Sequence, residues 1–478
     1  MSLYIKLIDN PTARVVKPME VSKWDGCRWS NPPEKKVLVK IHDVRRNVWL
    51  DPDNFSNDYY YFSPRFSRST SSRYEFYHPR YRKHPITVMP GGSTRYAARS
   101  GPGQPIKMGG HKIEIRLDAY HLVRVNNQDR FIFGSNLAWL DGKYGHDFGR
   151  NFVSQPNRPM SSYLDRNSRN YRARHRNLSD YFRQIRDVFK SRVVRVWVFE
   201  GGEGLRFSGS NVHMDSAMAP NIQSILSIAQ TERLFIYWCL LSSHPDHNTA
   251  AFNKDIEIIR SAQNPRPSSF LNQALRSFCD AIGDSACNFA IDVMNEPEKY
   301  IVRGNLSWSD IRQYIRECCR KIKGYLGQSF PVSCGSAGTG WANVSSVANT
   351  LRYYLGLGLD FYDFHIYNNT GQLPMSYDRL YQRLGGRLDK PCIIGEFGQN
   401  RDGFLDDFQK GLVKNFIEQT WHLGFGGSLV WNYNYKNFDY NKRNTNHKHS
   451  LIYRNGSPRP VKDPMRSFAT DYYPYLGL

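Results

Sequence analysis

Short apolar runs recur at regular intervals from about residue 119 to the end of the chain. Eight of them have the length of buried strands and are too short for buried helices. They span residues 131–137, 193–199, 234–241, 288–294, 330–335, 360–367, 391–396 and 427–432. Several of the intervening segments have apolar residues at helical spacing, so the pattern predicts strands that alternate with helices.

The predicted helices show apolar residues on one face. The clearest stripe follows Ser309, a residue type that often caps helices. It consists of Ile311, Tyr314, Ile315, Cys318, Cys319, Ile322 and Tyr325. A second stripe runs from Leu271 to Ile282, and a third runs from Phe404 to Phe416 and ends near Gly424. A further helix is expected from about Ser179, within the basic connection between the first two strands.

Strands that alternate with helices over about 300 residues indicate a parallel sheet, and a count of eight favours a closed (β/α)8 barrel, or TIM barrel. A doubly wound open sheet is the structural alternative. No glycine-rich phosphate loop follows the first strand, which argues against its nucleotide-binding form. We place the barrel at residues 119–478, with a C-terminal extension from about 440. A hairpin formed by residues 121–134 leads into its first strand.

Residues 1–118 have a different character. Short runs at 37–41 and 48–50 are typical of strands. Residues 61–110 are rich in Arg, Tyr, Ser, Gly and Pro, and they contain nine Lys and Arg against one acidic residue, Glu75. No helical periodicity appears there. We predict a β-rich N-terminal module that carries an irregular basic segment or arm; a solvated linker is the other interpretation.

The charge of the chain is strongly positive. Its 478 residues include 65 Lys and Arg against 43 Asp and Glu, which gives a net charge of +22. Such a charge attracts polyanions and acidic protein surfaces, so we expect a polyanion or assembly partner at the basic N-terminal segment. Aromatic residues make up 14% of the chain, and exposed ones would suit the flat faces of sugar rings. The apolar runs are too short to span a bilayer, so no membrane span is expected.

The cysteines and the first residues bear on the compartment. Eight cysteines are present without a C-x-x-C pair, which argues against a zinc ribbon or a redox motif. Cys239, Cys334 and Cys392 lie inside apolar runs, where reduced, buried thiols are expected. The N-terminal residues do not resemble a secretory signal. These features predict synthesis in a reducing cytoplasm. Association with a virion, or non-classical export, would bring such a protein to an extracellular polysaccharide.

Polar side chains gather where the predicted strands end, and the active sites of such barrels lie at that face. The fourth strand ends in Asn295-Glu296-Pro297, and the seventh ends in Gly395-Glu396. Because these strands lie on opposite sides of the ring, their glutamates can flank a substrate. Cleavage of a glycosidic bond needs one protonated and one ionised carboxyl group. Glu200, after the second strand, is the main rival for a catalytic carboxylate.

Taken together, the residues at the strand ends resemble those of glycoside hydrolase family five, or of a close relative in the same clan. That family includes cellulases and β-mannanases. The matching residues are Trp139, Arg195, His244, Asn295, Glu296, His365, Tyr367, Glu396 and Trp431. The resemblance covers about residues 120–440 and does not extend to the N-terminal part. The match is loosest at His244, because Leu240-Leu-Ser-Ser-His244 lacks the usual acidic neighbour.

The resemblance implies a retaining, endo-acting hydrolase of a β-linked polysaccharide or oligosaccharide, of the β-glucan or β-mannan class, without a cofactor or metal. Glu296 would be the acid/base and Glu396 the nucleophile. Arg195 would pair with Glu396 and keep it ionised, and Tyr367 would donate to the same carboxylate.

The other residues that match the pattern of the family would contact the substrate. Asn295 would bind the sugar 2-hydroxyl, and His365 would position the acid or a sugar hydroxyl. Trp431 would form the floor under the reacting sugar, because a flat apolar ring stacks well there. His244 and Trp139 would complete the sugar-binding surface.

Two other functions stay open. One is a structural or glycan-binding protein that uses the barrel as a scaffold with little or no catalysis. The charge and the basic arm favour it, but a scaffold has no need to keep both glutamates. The other is nucleic-acid binding through residues 61–110 and 150–192, which no recognised motif supports.

Removal of residues 1 to about 115 should leave a folded barrel that still cleaves small activated glycosides, because its strands and helices can bury one another. The shortened chain should lose most of the salt-dependent affinity for an immobilised polyanion, because the basic segment is gone. Melting, activity and salt elution of the two chains check this. An insoluble or inert truncated chain would place the N-terminal region in the barrel core and move the domain boundary.

Overall fold

The computed structural model describes residues 130–140, 147–150, 164, 169–209, 211–244, 249–338, 347–398, 406–434, 449–453 and 455–471, together with the backbone of short strands before residue 130. Two of those early strands, Val37–Asp43 and Val48–Leu50, occupy the positions predicted from the sequence and pair antiparallel. Most of the basic segment 61–110 lies outside the described residues.

The early strands form small antiparallel sheets. The first sheet contains Leu3–Ile8, Pro18–Met19, Val37–Asp43, Val48–Leu50 and Ser93–Arg95. The second contains Ser63–Phe66, Tyr74–Tyr77 and Ile86–Val88. The third contains Arg116–Leu117, Val123–Val125 and Gln128–Arg130. The last two strands of the third sheet form a hairpin just before the barrel, as predicted.

Eight parallel strands close into a barrel, which confirms the predicted fold. In chain order they are β1 (Ile132–Asn136), β2 (Val193–Trp197), β3 (Phe235–Leu241), β4 (Asn288–Asn295), β5 (Val332–Ser336), β6 (Tyr362–Tyr367), β7 (Cys392–Gly398) and β8 (Gly427–Val430). Each coincides with one of the apolar runs, and β8 closes the ring by pairing with β1.

Helices follow the strands along the chain. They are α1 (Tyr171–Asp187), α2 (Met218–Glu232), α3 (Thr249–Ser261), α4 (Ala274–Ile282), α5 (Glu298–Gly304), α6 (Trp308–Leu326), α7 (Val347–Leu351), α8 (Tyr377–Arg383), α9 (Asp406–His422) and α10 (Lys462–Asp471). A short hairpin, Leu205–Ser208 with Asn211–Met214, precedes α2.

Two predicted helix starts were wrong. The first helix begins at Tyr171 and not near Ser179. The sequence pattern did not reveal its first turns because they are basic and polar and show no apolar stripe. The helix α6 is capped by Ser307 and not by Ser309. The Ser307 hydroxyl accepts the backbone N–H of Asp310, whose carboxylate accepts the N–H of Ser307, and this reciprocal capping box fixes the start.

Side chains fill the interior of the barrel. Its lower part is apolar and consists of Ile132, Val193, Phe235, Tyr237, Phe289, Ala290, Phe361, Ile393 and Leu429. A larger apolar core lies between the strands and the helices. The predicted C-terminal extension contributes to that core, since Phe468 of α10 packs against Phe131 and Trp421 at ring-centroid distances of 5.6 and 6.4 Å.

The described cysteines agree with the expectation of buried thiols. The seven described cysteines are free and buried, which includes the three assigned to buried strands, Cys239, Cys334 and Cys392. Within the described part of the chain, no helix is long and apolar enough to cross a membrane.

Candidate active site

The two glutamates of the strand-end motifs meet at the mouth of the barrel. Glu296 directly follows β4, and Glu396 lies within β7. One carboxylate oxygen of each glutamate and one ring nitrogen of His365 lie within 4.8 Å of one another. The Glu396 side chain is 4% exposed and the Glu296 side chain 17% exposed. A retaining glycosidase has its two carboxyl groups about 5–5.5 Å apart, so a close pair of glutamates is the arrangement that this mechanism uses.

Two donors hold the carboxylate of Glu396. Arg195 Nη1 donates to Oε1 at 2.5 Å, and the hydroxyl of Tyr367 donates to Oε2 at 2.6 Å. Burial, followed by the charge of Glu396, raises the pKa of Tyr367 well above its usual value, so the phenol keeps its proton and acts as a donor. The two contacts fix the orientation of the carboxylate, since hydrogen bonds to a charged acceptor are short and directional.

The Arg195 guanidinium also binds residues that the sequence analysis did not single out. Its Nη2 donates to Asp292 Oδ2 at 2.6 Å, and its Nη1 donates to Asn136 Oδ1 at 3.1 Å. Asn136 in turn donates to the carbonyl oxygen of Gly395, the residue before Glu396, at 2.9 Å. An aspartate inside a buried strand was a signal that sequence analysis could have used, because carboxylates are seldom fully buried unless they are paired.

His365 lies between the two glutamates. Its Nδ1 is 3.0 Å from Glu296 Oε1 and 3.5 Å from Glu396 Oε2. Burial works against the imidazolium, but the charge of Glu396 and the hydrogen bond with Glu296 outweigh it and raise the pKa of His365 to about 9. A protonated imidazole therefore lies between the carboxyl groups at neutral pH. Among the described residues, this trio also has a spacing that could hold a metal ion, and the imidazolium already supplies positive charge there.

The backbone at Glu296 is held in an uncommon conformation. Its φ is +50°, and the other described non-glycine residues with positive φ follow the ends of helices. This conformation costs on the order of 1–2 kcal/mol, so the surroundings must hold it. The Glu296 N–H donates to the carbonyl of Gly335 in β5 at 2.6 Å. Two residues later, Glu298 accepts from the Ser336 hydroxyl at 2.6 Å and from the Ala337 N–H at 3.0 Å. The end of β5 thus anchors the turn on both sides.

Three tryptophans pack together at the strand ends. Trp139, Trp197 and Trp431 have ring centroids 5.3 to 5.6 Å apart, and Tyr367 packs against them. Trp431 and Trp197 are each 7% exposed, and Trp139 is 3% exposed. Glu200, the rival carboxylate, is buried and accepts a hydrogen bond from the indole N–H of Trp139. That contact ties Glu200 to the tryptophan cluster.

His244 follows the end of β3 and is partly exposed, and residues 245–248 after it lie outside the described residues. Its contact with a sugar stays a prediction. Three further residues that follow the strands β1 and β5 in the sequence, Asp141, His146 and Trp341, also lie outside the described residues. Asp147 and Glu203 are buried. Asp147 accepts the N–H of Leu140 in its own loop, whereas Glu203, after β2, accepts the N–H groups of Phe148 and Gly149 in the loop after β1, so the two carboxylates hold these loops in place.

The comparisons with known proteins bear on the fold and on the family resemblance. No protein-family model matches the chain. Mannan endo-1,4-beta-mannosidase from Mytilus edulis is 21% identical over 340 residues, which are 64% of this chain and 84% of that protein. The crystal structure of beta-1,4-D-mannanase from Cryptopygus antarcticus has a TM-score of 0.51 at 18% identity, and the match covers 77% of this chain and 97% of the mannanase. The structural similarity shows the (β/α)8 fold, and the sequence similarity confirms the resemblance drawn from the strand-end motifs.

Substitution of Gly335 by alanine should disturb the site without removing a functional group. A Cβ at this position would lie 2.9 Å from His365 Nε2, 3.0 Å from Asp292 Oδ2 and 3.2 Å from Arg195 Nη2. Displacement of these groups should lower the turnover of an activated aryl β-glycoside about 10²-fold, because catalysis is sensitive to misplacement of about 1 Å.

The matched control for this substitution is Gly411→Ala in α9, where an added Cβ meets no atom within 4 Å. It should leave turnover unchanged. Full turnover in a folded Gly335→Ala protein would show that β5 does not set the geometry of the site.

Proposed function

We propose that this protein is a retaining, endo-acting β-1,4-mannan hydrolase with Glu296 as acid/base and Glu396 as nucleophile. The observation that carries the proposal is the approach of the two carboxyl groups within 4.8 Å across the mouth of a (β/α)8 barrel, on β4 and β7. The names of the mannanase relatives support the substrate class.

In the first step, an oxygen of Glu396 attacks the anomeric carbon of the sugar. The glycosidic bond breaks, and its oxygen takes the proton of Glu296 as the leaving sugar departs. In the second step, Glu296 removes a proton from water, the water oxygen attacks the anomeric carbon, and the ester bond to Glu396 breaks. Inversion at each step leaves the product with the configuration of the substrate.

The surrounding charges match these roles. Glu396 must be ionised to attack, and the contacts from Arg195 and Tyr367 favour that form. Glu296 must carry a proton first and lose it afterwards. Its hydrogen bond to His365 and its greater exposure suit a group that exchanges protons with substrate and water.

The other predicted residues would bind the sugar. Asn295 accepts from Arg195 Nη2 at 2.8 Å through Oδ1, so its amide NH2 is the group that would meet the sugar 2-hydroxyl. Trp431 would present its accessible edge and face as the floor under the sugar. His244 and Trp139 would extend this surface, with Trp139 fixed in place by Glu200.

A finer proposal concerns the N-terminal part. The nine basic residues between 61 and 110 would attract a polyanion or an acidic assembly partner, and the net charge of +22 supports this. Such a contact would hold the hydrolase near its polysaccharide and would not take part in the chemistry.

Substitution of either glutamate by alanine should lower mannan hydrolysis by about 10²–10⁴-fold with the fold intact. Added azide should rescue Glu296→Ala on an activated aryl β-mannoside and give a β-glycosyl azide, because the small anion attacks the glycosyl-enzyme without needing a base. For Glu396→Ala, azide should replace the nucleophile and give the α-glycosyl azide.

The control for these variants is Glu257→Ala, an exposed glutamate of α3 that should keep full activity. The wild-type protein is assayed in parallel on β-mannan, β-glucan, xylan and acidic glycans. Full activity in either glutamate variant would overturn the residue assignment, and a preference for another glycan would overturn the substrate class.

A further inference from the structure

A second carboxyl group is buried two residues after the proposed acid/base. Glu298 is the first residue of α5, and its side chain is completely buried. In the described part of the chain, no cationic side chain forms an ion pair with it. Burial of a carboxylate is costly unless hydrogen bonds compensate for the lost water, so the contacts of Glu298 define its role.

Three donors converge on the carboxylate of Glu298. The hydroxyl groups of Ser336 and Tyr354 each donate to Oε1 at 2.6 Å, and the N–H of Ala337 donates to Oε2 at 3.0 Å. The Ser336 hydroxyl itself accepts the N–H of Gly338 at 3.2 Å, so its own proton is free for the carboxylate. All three contacts therefore suit an acceptor that carries no proton.

The protonation of this cluster follows from its surroundings. Burial raises the pKa of Glu298, and the hydrogen bonds from Ser336, Tyr354 and Ala337 act against burial. Burial, followed by the charge of Glu298, raises the pKa of Tyr354 well above its usual value, so the phenol keeps its proton and remains a donor. An amide in place of the carboxylate would turn its NH2 group toward at least one of these donors and lose that contact.

The donors belong to parts of the chain other than α5. Ser336 is the last residue of β5, and Tyr354 follows α7. The hydroxyl of Thr350, within α7, donates to the carbonyl oxygen of Gly338 at 2.7 Å, which ties α7 to the end of β5. Glu298 therefore joins the start of α5 to the end of β5 and to the segment that follows α7.

The chain between Glu298 and the acid/base is short and strained. Only Pro297 separates the two glutamates, and Glu296 has a φ of +50°. The Lys299 N–H donates to the carbonyl oxygen of Glu296 at 3.1 Å and closes the turn. A residue keeps such a backbone conformation only where its surroundings hold it. A shift of Glu298 is therefore passed on to Glu296.

The proposed nucleophile has a different support. Glu396 accepts from Arg195 in β2 and from Tyr367 at the end of β6. Among the described residues, none of the hydrogen bonds of Arg195 and Tyr367 reaches Glu298 or its three donors. Loss of the contacts of Glu298 should therefore displace Glu296 and leave the carboxylate of Glu396 in place.

We propose that Glu298 is a positioning residue for the acid/base: its buried carboxylate holds the turn that carries Glu296, so proton donation to the leaving oxygen depends on it and attack by Glu396 does not. The inference rests on the proposed function, because it assigns a support to the acid/base of that reaction. Since Glu298 is completely buried, it touches neither the substrate nor the reacting atoms.

The test compares a substrate that needs an acid with one that does not. A sugar leaving group must be protonated as it departs, whereas 2,4-dinitrophenolate leaves without a proton. In Glu298→Gln, kcat/KM for β-1,4-mannopentaose should fall about 10²-fold, because the acid is misplaced. The value for 2,4-dinitrophenyl β-mannobioside should stay within about twofold of the wild-type value.

A milder variant covers the case in which Glu298→Gln does not fold. Tyr354→Phe removes one of the three donors and keeps the ring. It should show the same dependence on the leaving group with a smaller loss on mannopentaose, about tenfold, because a hydrogen bond to a charged group is lost. Thermal melting of each variant shows whether the protein is folded.

Two further variants are measured beside these. Glu257→Gln, in α3, changes a glutamate whose side chain is 58% accessible and should leave both substrates unaffected. Tyr367→Phe removes a donor from the nucleophile and should lower kcat/KM for both substrates, because attack by Glu396 is part of each reaction. It shows the pattern expected when the nucleophile is disturbed.

Equal losses on the two substrates in the folded Glu298 and Tyr354 variants would overturn the proposal, since a purely structural role lowers both reactions together. Wild-type rates on both substrates would overturn it as well. A wild-type protein that cleaves neither substrate would instead overturn the proposed function.

Discussion

The candidate site depends on the ion pairs that the guanidinium group of Arg195 forms. It is completely buried in β2 and binds Asp292 of β4 and Glu396 of β7. Removal of one partner of such a buried ionic pair typically costs about 3–5 kcal/mol, because a charge is left without compensation. The arginine therefore fixes the positions of two carboxylates on strands that are far apart in the sequence, and one of them belongs to Glu396, the proposed nucleophile.

Around Arg195, each of the two proposed catalytic glutamates is held in place by its own set of residues. Glu396 is held by Arg195 and Tyr367, and its side chain is almost completely buried. Glu296 lies on a turn that β5 anchors through Gly335 and through the buried carboxyl group of Glu298. In the proposed double displacement, Glu396 attacks as a carboxylate and Glu296 exchanges a proton, and the two glutamates have correspondingly different surroundings.

The sequence predicted the strands and the two glutamates because both signals are local. An apolar run followed by polar residues marks a strand end, and strand ends in a closed barrel meet at one face. Asp292 and Gly335 were missed because their roles arise from contacts across the barrel; Asp292 meets Arg195, which is 97 residues away in the chain. Lys299, in the first turn of α5, is buried, and this could not be predicted because a lysine at the start of a helix is usually exposed.

The start of α1 was misplaced because its first turns carry no apolar stripe. The start of α6 was misplaced by two residues because Ser307 and Ser309 are both of a residue type that caps helices. The basic segment between residues 61 and 110 and the role of His244 stay predictions. Charge and motif position suggested both, and the contacts that would define them involve residues outside the described part of the chain.

The configuration of the first product tests the central claim most directly. A β-1,4-linked mannopentaose is incubated with the protein, and the anomeric proton of the newly formed reducing end is followed by NMR before mutarotation equilibrates it. Two displacements by the Glu296 and Glu396 pair predict that the β-anomer appears first. Initial appearance of the α-anomer would show a single displacement by water and would contradict the assignment of Glu396 as nucleophile.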